Sequence, residues 1–275
     1  MLRSFLICWL LQCASFRGCA HDFVAVFFDD DSAKELHVDA PLPRDLVAQV
    51  ITKLHEAGAR GLVLKWFVDL PRDKQQDEAL AKALCLMPTT LQACHKADGS
   101  TNALPERFRI QQTDDLELKE VMSSDRGYLP LPIFSKCARG VGFVDLAVER
   151  TDSIPLVEGY QDNLVKSLYV TALELELREP AVYKKDRIIF GAKTLSFDSL
   201  GEHPIKALPK LDYVPFHRVL NGSVSLEQFK DKVIILGYDG RHIHSIKTKW
   251  GEIKAHRLLV QSLLALTEDL ETRRP

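Results

Sequence analysis

The stretch from Phe23 to Leu70 most constrains what this chain can fold into. It runs FVAVFFDDD, then PRDLVAQVITKLHEAGA, then RGLVLKWFVDLP. The first piece is an apolar run rich in β-branched and aromatic residues, stopped by three aspartates. The second has Leu46, Val47, Val50, Ile51 and Leu54 at the spacing of one helix face. Pro43 suits the first turn of that helix and Gly58 its end. The third is apolar from Leu62 to Val68 and closes on Asp69 and Pro71. Strand, helix and strand with short connections make a βαβ unit, whose two strands are expected to be parallel and neighbouring. Both strands are apolar along most of their length, which suits a sheet covered on both faces.

Further along, KQQDEALAKAL (Lys74 to Leu84) predicts a second helix, with Ala79, Leu80, Ala83 and Leu84 on one side. Thr89 to Ala93 predicts a third strand, and Val141 to Asp145 a fourth. Between them, Lys96 to Arg126 is polar and acidic and reads as an irregular excursion with an edge strand near Phe108 to Gln111. Asn163 to Leu177 predicts an amphipathic helix through Leu164, Leu168, Ala172 and Leu175. Arg187 to Phe190 and Thr194 to Phe197 predict two short strands. Val233 to Leu236 predicts the most buried strand, followed by the turn Gly237–Gly240, a polar loop Arg241 to Lys249, and a helix from Ala255 to Leu266. No repeat or low-complexity linker divides the chain. The expected fold is α/β: a single three-layer domain with a mostly parallel sheet and helices on both faces.

The N-terminus is of another kind. Residues 1–20 read MLRSFLICWLLQCASFRGCA, with a basic start at Arg3, a mostly apolar run from Ser4 to Phe16, and small residues Gly18 and Ala20 before His21. That is the pattern of a signal peptide cut near Ala20. The expected division is therefore 1–20 as signal peptide and 21–275 as mature domain, periplasmic or secreted. The mature part holds no run of the ~18 to 20 apolar residues that a membrane-spanning helix needs. Cys85, Cys94 and Cys137 stay after the cut. Three cysteines do not make a disulfide framework. A single Cys85–Cys94 bridge and buried free thiols are both open. With 36 basic and 38 acidic residues and a net charge of -2, the chain lacks the basic field of a nucleic-acid binder.

In parallel α/β sheets ligands bind at the carboxyl ends of the strands. Several strands here end on polar residues: Asp29, Asp30 and Asp31 after the first, Asp69 after the second, Asp145 after the fourth, Tyr238 and Asp239 after the last. Parallel strands would bring these to one rim, suited to a cationic ligand or a hard divalent ion. The alternative is that aspartates at such ends cap helices and turns. Lys65 interrupts an apolar strand. It is either buried beside a partner charge from the rim or placed at an edge with its amine reaching out. His242 and His244 stand two apart in a loop, but no cluster completes a zinc site around them. His256 reads as a packed helix residue. Neither a phosphate loop nor a Gly-x-Ser-x-Gly elbow occurs, so no catalytic residue, metal or cofactor is assigned.

Taken in order, these segments resemble the CHASE2 domain, a bacterial extracellular sensor module. The resemblance is carried by FVAVFFDDD, by PLPRDLVAQVITKLHEAGARGLVLKWFVD, by QDEALAKAL and by YLPLPIFSKCARGVGFVD. It continues in YVPFHRVLNG and KDKVIILGYDG, and in Thr248, Gly251 and Ala255–His256 of the closing segment. It spans about residues 22 to 268. Family members usually carry membrane spans and an output domain after this module. The present chain has neither, carries Lys249 where the family tends to have proline, and offers His242 and His244 in a loop that usually holds an aspartate. The resemblance implies a freestanding extracytoplasmic sensor, not an enzyme, that binds an unknown small molecule or docks on an envelope signalling protein. Two other classes stay in view: a metal-dependent small-molecule hydrolase using the aspartate rim, and a pocketless protein-interaction module.

Overall fold

The computed structural model describes residues 22–111, 115–146 and 150–272. The expected signal peptide, residues 1–20, lies outside them. The core is a seven-stranded sheet of β1 (Phe23–Phe28), β2 (Gly61–Lys65), β3 (Thr89–Ser100), β4 (Gly127–Tyr128), β5 (Gly140–Phe143), β6 (Tyr213–Pro215) and β7 (Val233–Tyr238). Their order is β6-β1-β7-β2-β3-β5, all parallel, with β4 antiparallel on the outer part of β3.

The expectation that β1 and β2 are neighbours fails. They are parallel, but β7 lies between them, pairing Ile234 with Val24 on one side and with Leu62 on the other. A helical crossover can step over one strand position. The vacant slot at the centre goes to VIILGY, every residue of which is buried.

Side chains alternate across the sheet and feed two separate cores. Val26, Phe28, Leu62, Leu64, Ile234 and Leu236 face one layer. That layer contains α1 (Asp30–Leu36), α2 (Arg44–Glu56), α3 (Lys74–Leu84), α4 (Pro132–Ser135) and α6 (Phe216–Leu220). Ala25, Phe27, Val63, Val233 and Ile235 face the other, formed by α5 (Leu168–Leu177) and α7 (Ala255–Thr272). Helices on both faces of a mostly parallel sheet are the architecture expected from the sequence. Of the face proposed for α2, Val47, Val50, Ile51 and Leu54 are buried, and in α7 Leu258, Leu259, Leu263 and Leu266 are buried.

Local differences have local causes. Asn163 to Leu177 is not one helix: Asn163–Lys166 pairs antiparallel with Val157–Tyr160, and α5 begins only after Ser167, whose hydroxyl caps it. Gln161 and Asp162 both take positive φ, which turns the chain into that hairpin despite the helical spacing of Leu164. The polar loop 241–249 is partly a hairpin, Ser245–Thr248 against Gly251–Lys254. The edge strand expected at Phe108 to Gln111 is a 3₁₀ turn, Glu106–Phe108, followed by a single bridge from Arg109 to Val165. Cys85 bonds to Cys137, not Cys94. Cys94 lies within β3, whereas Cys85 ends α3 beside the segment after α4, so Cys94 stays a free thiol.

Candidate functional site

Because β1, β2, β5 and β7 are parallel, their polar tips do lie along one edge of the sheet. Two cavities open there. One, of about 490 Å³, has apolar walls from Leu42, Val47, Leu64, Trp66 and Val68 with Tyr238 beside them. The other, of about 760 Å³, lies against α5 and α7 and is lined by His95, Asp145, Tyr169 and His244 among others. Lys65, Phe67, Ile243 and His256 line both and so stand between them.

Lys65 ends a strand flanked on both sides, by β7 and β3, and is buried. The edge reading is therefore overturned. Its direct partner is not an aspartate: Nζ donates to Oε1 of Gln92, on the neighbouring strand, at 2.8 Å. Burial pushes the amine down to about 8, against the opposing pull of Cys94 and Asp145. Gly237 lies alongside. A Cβ there would sit 3.4 Å from Lys65 Cβ and from His256 Nδ1 and 3.2 Å from the Phe27 ring, so the lack of a side chain lets these groups close together.

His256, in the first turn of α7, is buried. Its Nδ1 accepts the backbone N–H of Tyr238 at 3.2 Å, which places the ring proton on Nε2. Burial and then the nearby Lys65 charge hold the imidazole well below its ordinary range. Tyr238 stacks on Phe28, and its hydroxyl accepts the His242 N–H at 3.3 Å.

The aspartates divide. Asp29 caps α1 through the Ser32 N–H at 2.8 Å and accepts the Tyr213 hydroxyl at 3.2 Å. Asp30 accepts the Arg241 N–H at 2.8 Å, and Asp31 is exposed in the same helical turn. Asp239 is buried and receives Nε and Nη2 of Arg257 at 2.9 and 2.6 Å. Asp69 is half-buried beyond β2. None of these five lines either cavity. Of the residues assigned from sequence, Lys65 and Tyr238 reach the first cavity and Lys65 and Asp145 the second.

Asp145 belongs to a cluster the sequence did not suggest. It accepts the His95 N–H at 2.9 Å. His95 Nδ1 lies 3.8 Å from a carboxylate oxygen of Asp145 and 3.8 Å from one of Glu158. One ligand atom from each of the three falls within 4.8 Å of the others. Glu158 is wholly buried, and among the described residues neither of its oxygens has a hydrogen-bond partner apart from the neighbouring Asp145 carboxyl, with which it can share a proton. Burial, and next the charge of Asp145, push its carboxyl well up; burial likewise raises Asp145. Glu158, like Lys65, is a charged residue inside an apolar run (IPLVEGY), and that anomaly was its only signal in the sequence. His95 and Gln92, in LQACHK, left none.

A three-layer α/β domain with its cavities and its unusual buried ionisable groups at the carboxyl edge defines the class of protein. A family model for the CHASE2 domain matches residues 7–249. The chain belongs to the CHASE2 domain family, whose members are extracellular sensor domains. The match begins within the apolar N-terminal segment. Comparison with curated proteins and with solved structures finds no match. Among the described residues no helix is long and apolar enough to cross a membrane.

Proposed function

We propose that this chain is an exported sensor domain that binds a small molecule in the 490 Å³ cavity and reports its presence to an envelope signalling partner. The ligand class follows from the walls: a largely apolar body carrying one anionic or strong acceptor group. Lys65 carries this reading. It is a buried amine whose direct partner among the described residues is a neutral amide, so two of its three donors are left to a guest. The apolar walls supply affinity, and the amine and Tyr238 supply orientation.

Two features support export. Residues 1–20 have the order of a signal peptide. The Cys85–Cys137 disulfide joins residues exposed to solvent, and such bonds persist in oxidising compartments.

A thermal-shift screen of small organic acids against the purified protein tests the reading. A ligand that prefers the native state raises Tm in the wild type, and the gain is lost in Lys65→Met. A ligand whose shift survives that substitution binds elsewhere and removes the assignment. Cell fractionation with N-terminal sequencing tests export: a mature chain starting near His21 outside the cytoplasm is expected, and intact chain confined to the cytosol refutes it.

A further inference from the structure

We infer that His95, Asp145 and Glu158 form a binding site for a first-row divalent transition metal, Zn²⁺ above all, at the floor of the 760 Å³ cavity. The three come from separate segments: β3, the turn after β5, and the strand Val157–Tyr160. Their ligand atoms all lie within 4.8 Å of one another, and the imidazole nitrogen is 3.8 Å from both carboxylates. Bonds of ~2.1 Å in a tetrahedral arrangement give ligand separations of about 3.4 Å, so a contraction of a few tenths of an ångström closes the imidazole–carboxylate edges.

The observation that singles out this cluster is Glu158. A carboxylate with no exposure and, among the described residues, no N–H donor is costly to keep, and the Asp145 carboxylate beside it raises that cost. A cation between them removes both penalties. Metal ligands bind deprotonated, so affinity for the ion is expected to tighten as pH rises. The donor set chooses the ion. One imidazole nitrogen with two carboxylates suits Zn²⁺ and its neighbours, whereas Ca²⁺ and Mg²⁺ take oxygen ligands alone. Three protein ligands leave further coordination positions, and His95 and Asp145 both line the cavity. Lys65 lines this cavity too, but the three ligands are other residues, and the proposed function uses the cavity on the other side of Lys65. Either assignment can fail while the other stands.

The test is Zn²⁺ binding to the full chain, measured by competition with a chromophoric chelator and by metal content after gel filtration, with Mn²⁺, Mg²⁺ and Ca²⁺ alongside. One Zn²⁺ per chain is expected in the wild type. Glu158→Gln keeps the side-chain shape and removes the ligand charge. It is expected to lower affinity by about 100-fold or more, since even residues behind metal ligands matter by 10- to 100-fold. His95→Gln, made as an independent second variant, is expected to do the same. The double variant His242→Ala/His244→Ala is expected to bind as the wild type does. Far-UV and near-UV circular dichroism identify any variant that has not folded. Absence of stoichiometric Zn²⁺ in the wild type, equal affinity in folded Glu158→Gln and His95→Gln, or loss confined to the loop-histidine variant overturns the assignment. Preference for Mg²⁺ or Ca²⁺ over Zn²⁺ overturns it as well.

Discussion

Lys65 and Gln92 meet at 2.8 Å across adjacent strands, and that single amide is the direct hydrogen-bond partner of a buried amine. The consequence for stability is calculable in sign. Burial lowers the folded-state pKa of Lys65 to about 8, below its ordinary value near 10.5. Between these values the unfolded chain holds more protons, so the contribution of Lys65 to stability rises with pH across that window and is lost as pH falls through 8. Lys65→Met has no such dependence. The variant is expected to be more stable than the wild type at pH 7 by roughly 2 to 3 kcal/mol, with the difference shrinking as pH climbs toward 10.5. Tyr169 and Tyr183, raised by burial, oppose this trend at high pH in both proteins and cancel in the comparison. In the variant Cys94, also raised by burial, loses the Lys65 charge that lowers it, and Cys94→Ala in both backgrounds removes that coupling. Urea denaturation of the two proteins from pH 7 to 10.5 checks it; a gap that stays constant refutes it.

Arg44 at the start of α2 and Asp77 in α3 form a buried ion pair at 2.5 Å, and it is fully furnished with partners. Arg44 also donates to the Leu70 carbonyl at 2.7 Å and lies over the Phe134 ring. Asp77 also receives the Arg72 N–H at 3.0 Å. Burial alone would raise the Asp77 carboxyl, but the Arg72 N–H and the Arg44 guanidinium outweigh it and hold it below the ordinary range. Its stabilisation is therefore present at neutral pH and lost as pH falls below about 4. Removing one partner strands the other in the interior, so Asp77→Ala is expected to cost about 3 to 5 kcal/mol in chemical denaturation. A cost under 1 kcal/mol would mean Arg44 finds water.

The architecture was legible where the apolar pattern is strong. The runs FVAVFF, GLVLK and VIILGY are covered on both faces, and continuous apolar runs announce that directly. Their order was not legible, because nothing in FVAVFF says whether GLVLK or VIILGY lies beside it. The Asn163–Lys166 strand was hidden by Leu164, which falls at helical spacing from Leu168 by accident of the hairpin turn before it. In the site, Lys65 and Asp145 were visible as charges at the ends of apolar strands. The aspartates at the β1 and β7 tips were visible for the same reason, but Asp29, Asp30 and Asp239 are engaged by Ser32, Arg241 and Arg257. His95 and Glu158 lie 63 positions apart in the chain, and only the fold brings them within 3.8 Å.

The Cys85–Cys137 bond closes a loop across 52 positions, from the end of α3 to the segment after α4. Chain-entropy arguments put the stabilisation from a loop of that size at about 4 kcal/mol at most. Cys85→Ser/Cys137→Ser is expected to lower stability by roughly 2 to 4 kcal/mol. Dithiothreitol should lower the Tm of the wild type toward that of the double variant and leave the variant unchanged. Equal melting of oxidised and reduced wild type would show that α3 and the α4 segment hold together without the bond.

His256 makes a pH-dependent joint between β7 and α7. Its Nδ1 accepts the Tyr238 N–H, and burial followed by the Lys65 charge keeps it neutral well below its ordinary value of 6.5. The unfolded chain takes up that proton first, so stability present above pH 6.5 is lost progressively as pH falls toward the folded-state pKa. His95, also lowered chiefly by burial, adds a slope of the same sign. Asp145 and Glu158, raised in the folded state, add one of opposite sign as pH moves up through the carboxylate range. His256→Asn separates the contributions, because the amide oxygen can accept the Tyr238 N–H and cannot titrate. This variant is expected to lose less stability than the wild type between pH 6.5 and 5. His256→Ala, which leaves the Tyr238 N–H without an acceptor, is expected to cost about 1 to 3 kcal/mol at every pH. Denaturation midpoints of the three proteins at pH 5, 6 and 7 decide it. Parallel lines for wild type and His256→Asn would mean that His256 takes up its proton in the folded protein as readily as in the unfolded chain, which removes it as the pH-sensitive element.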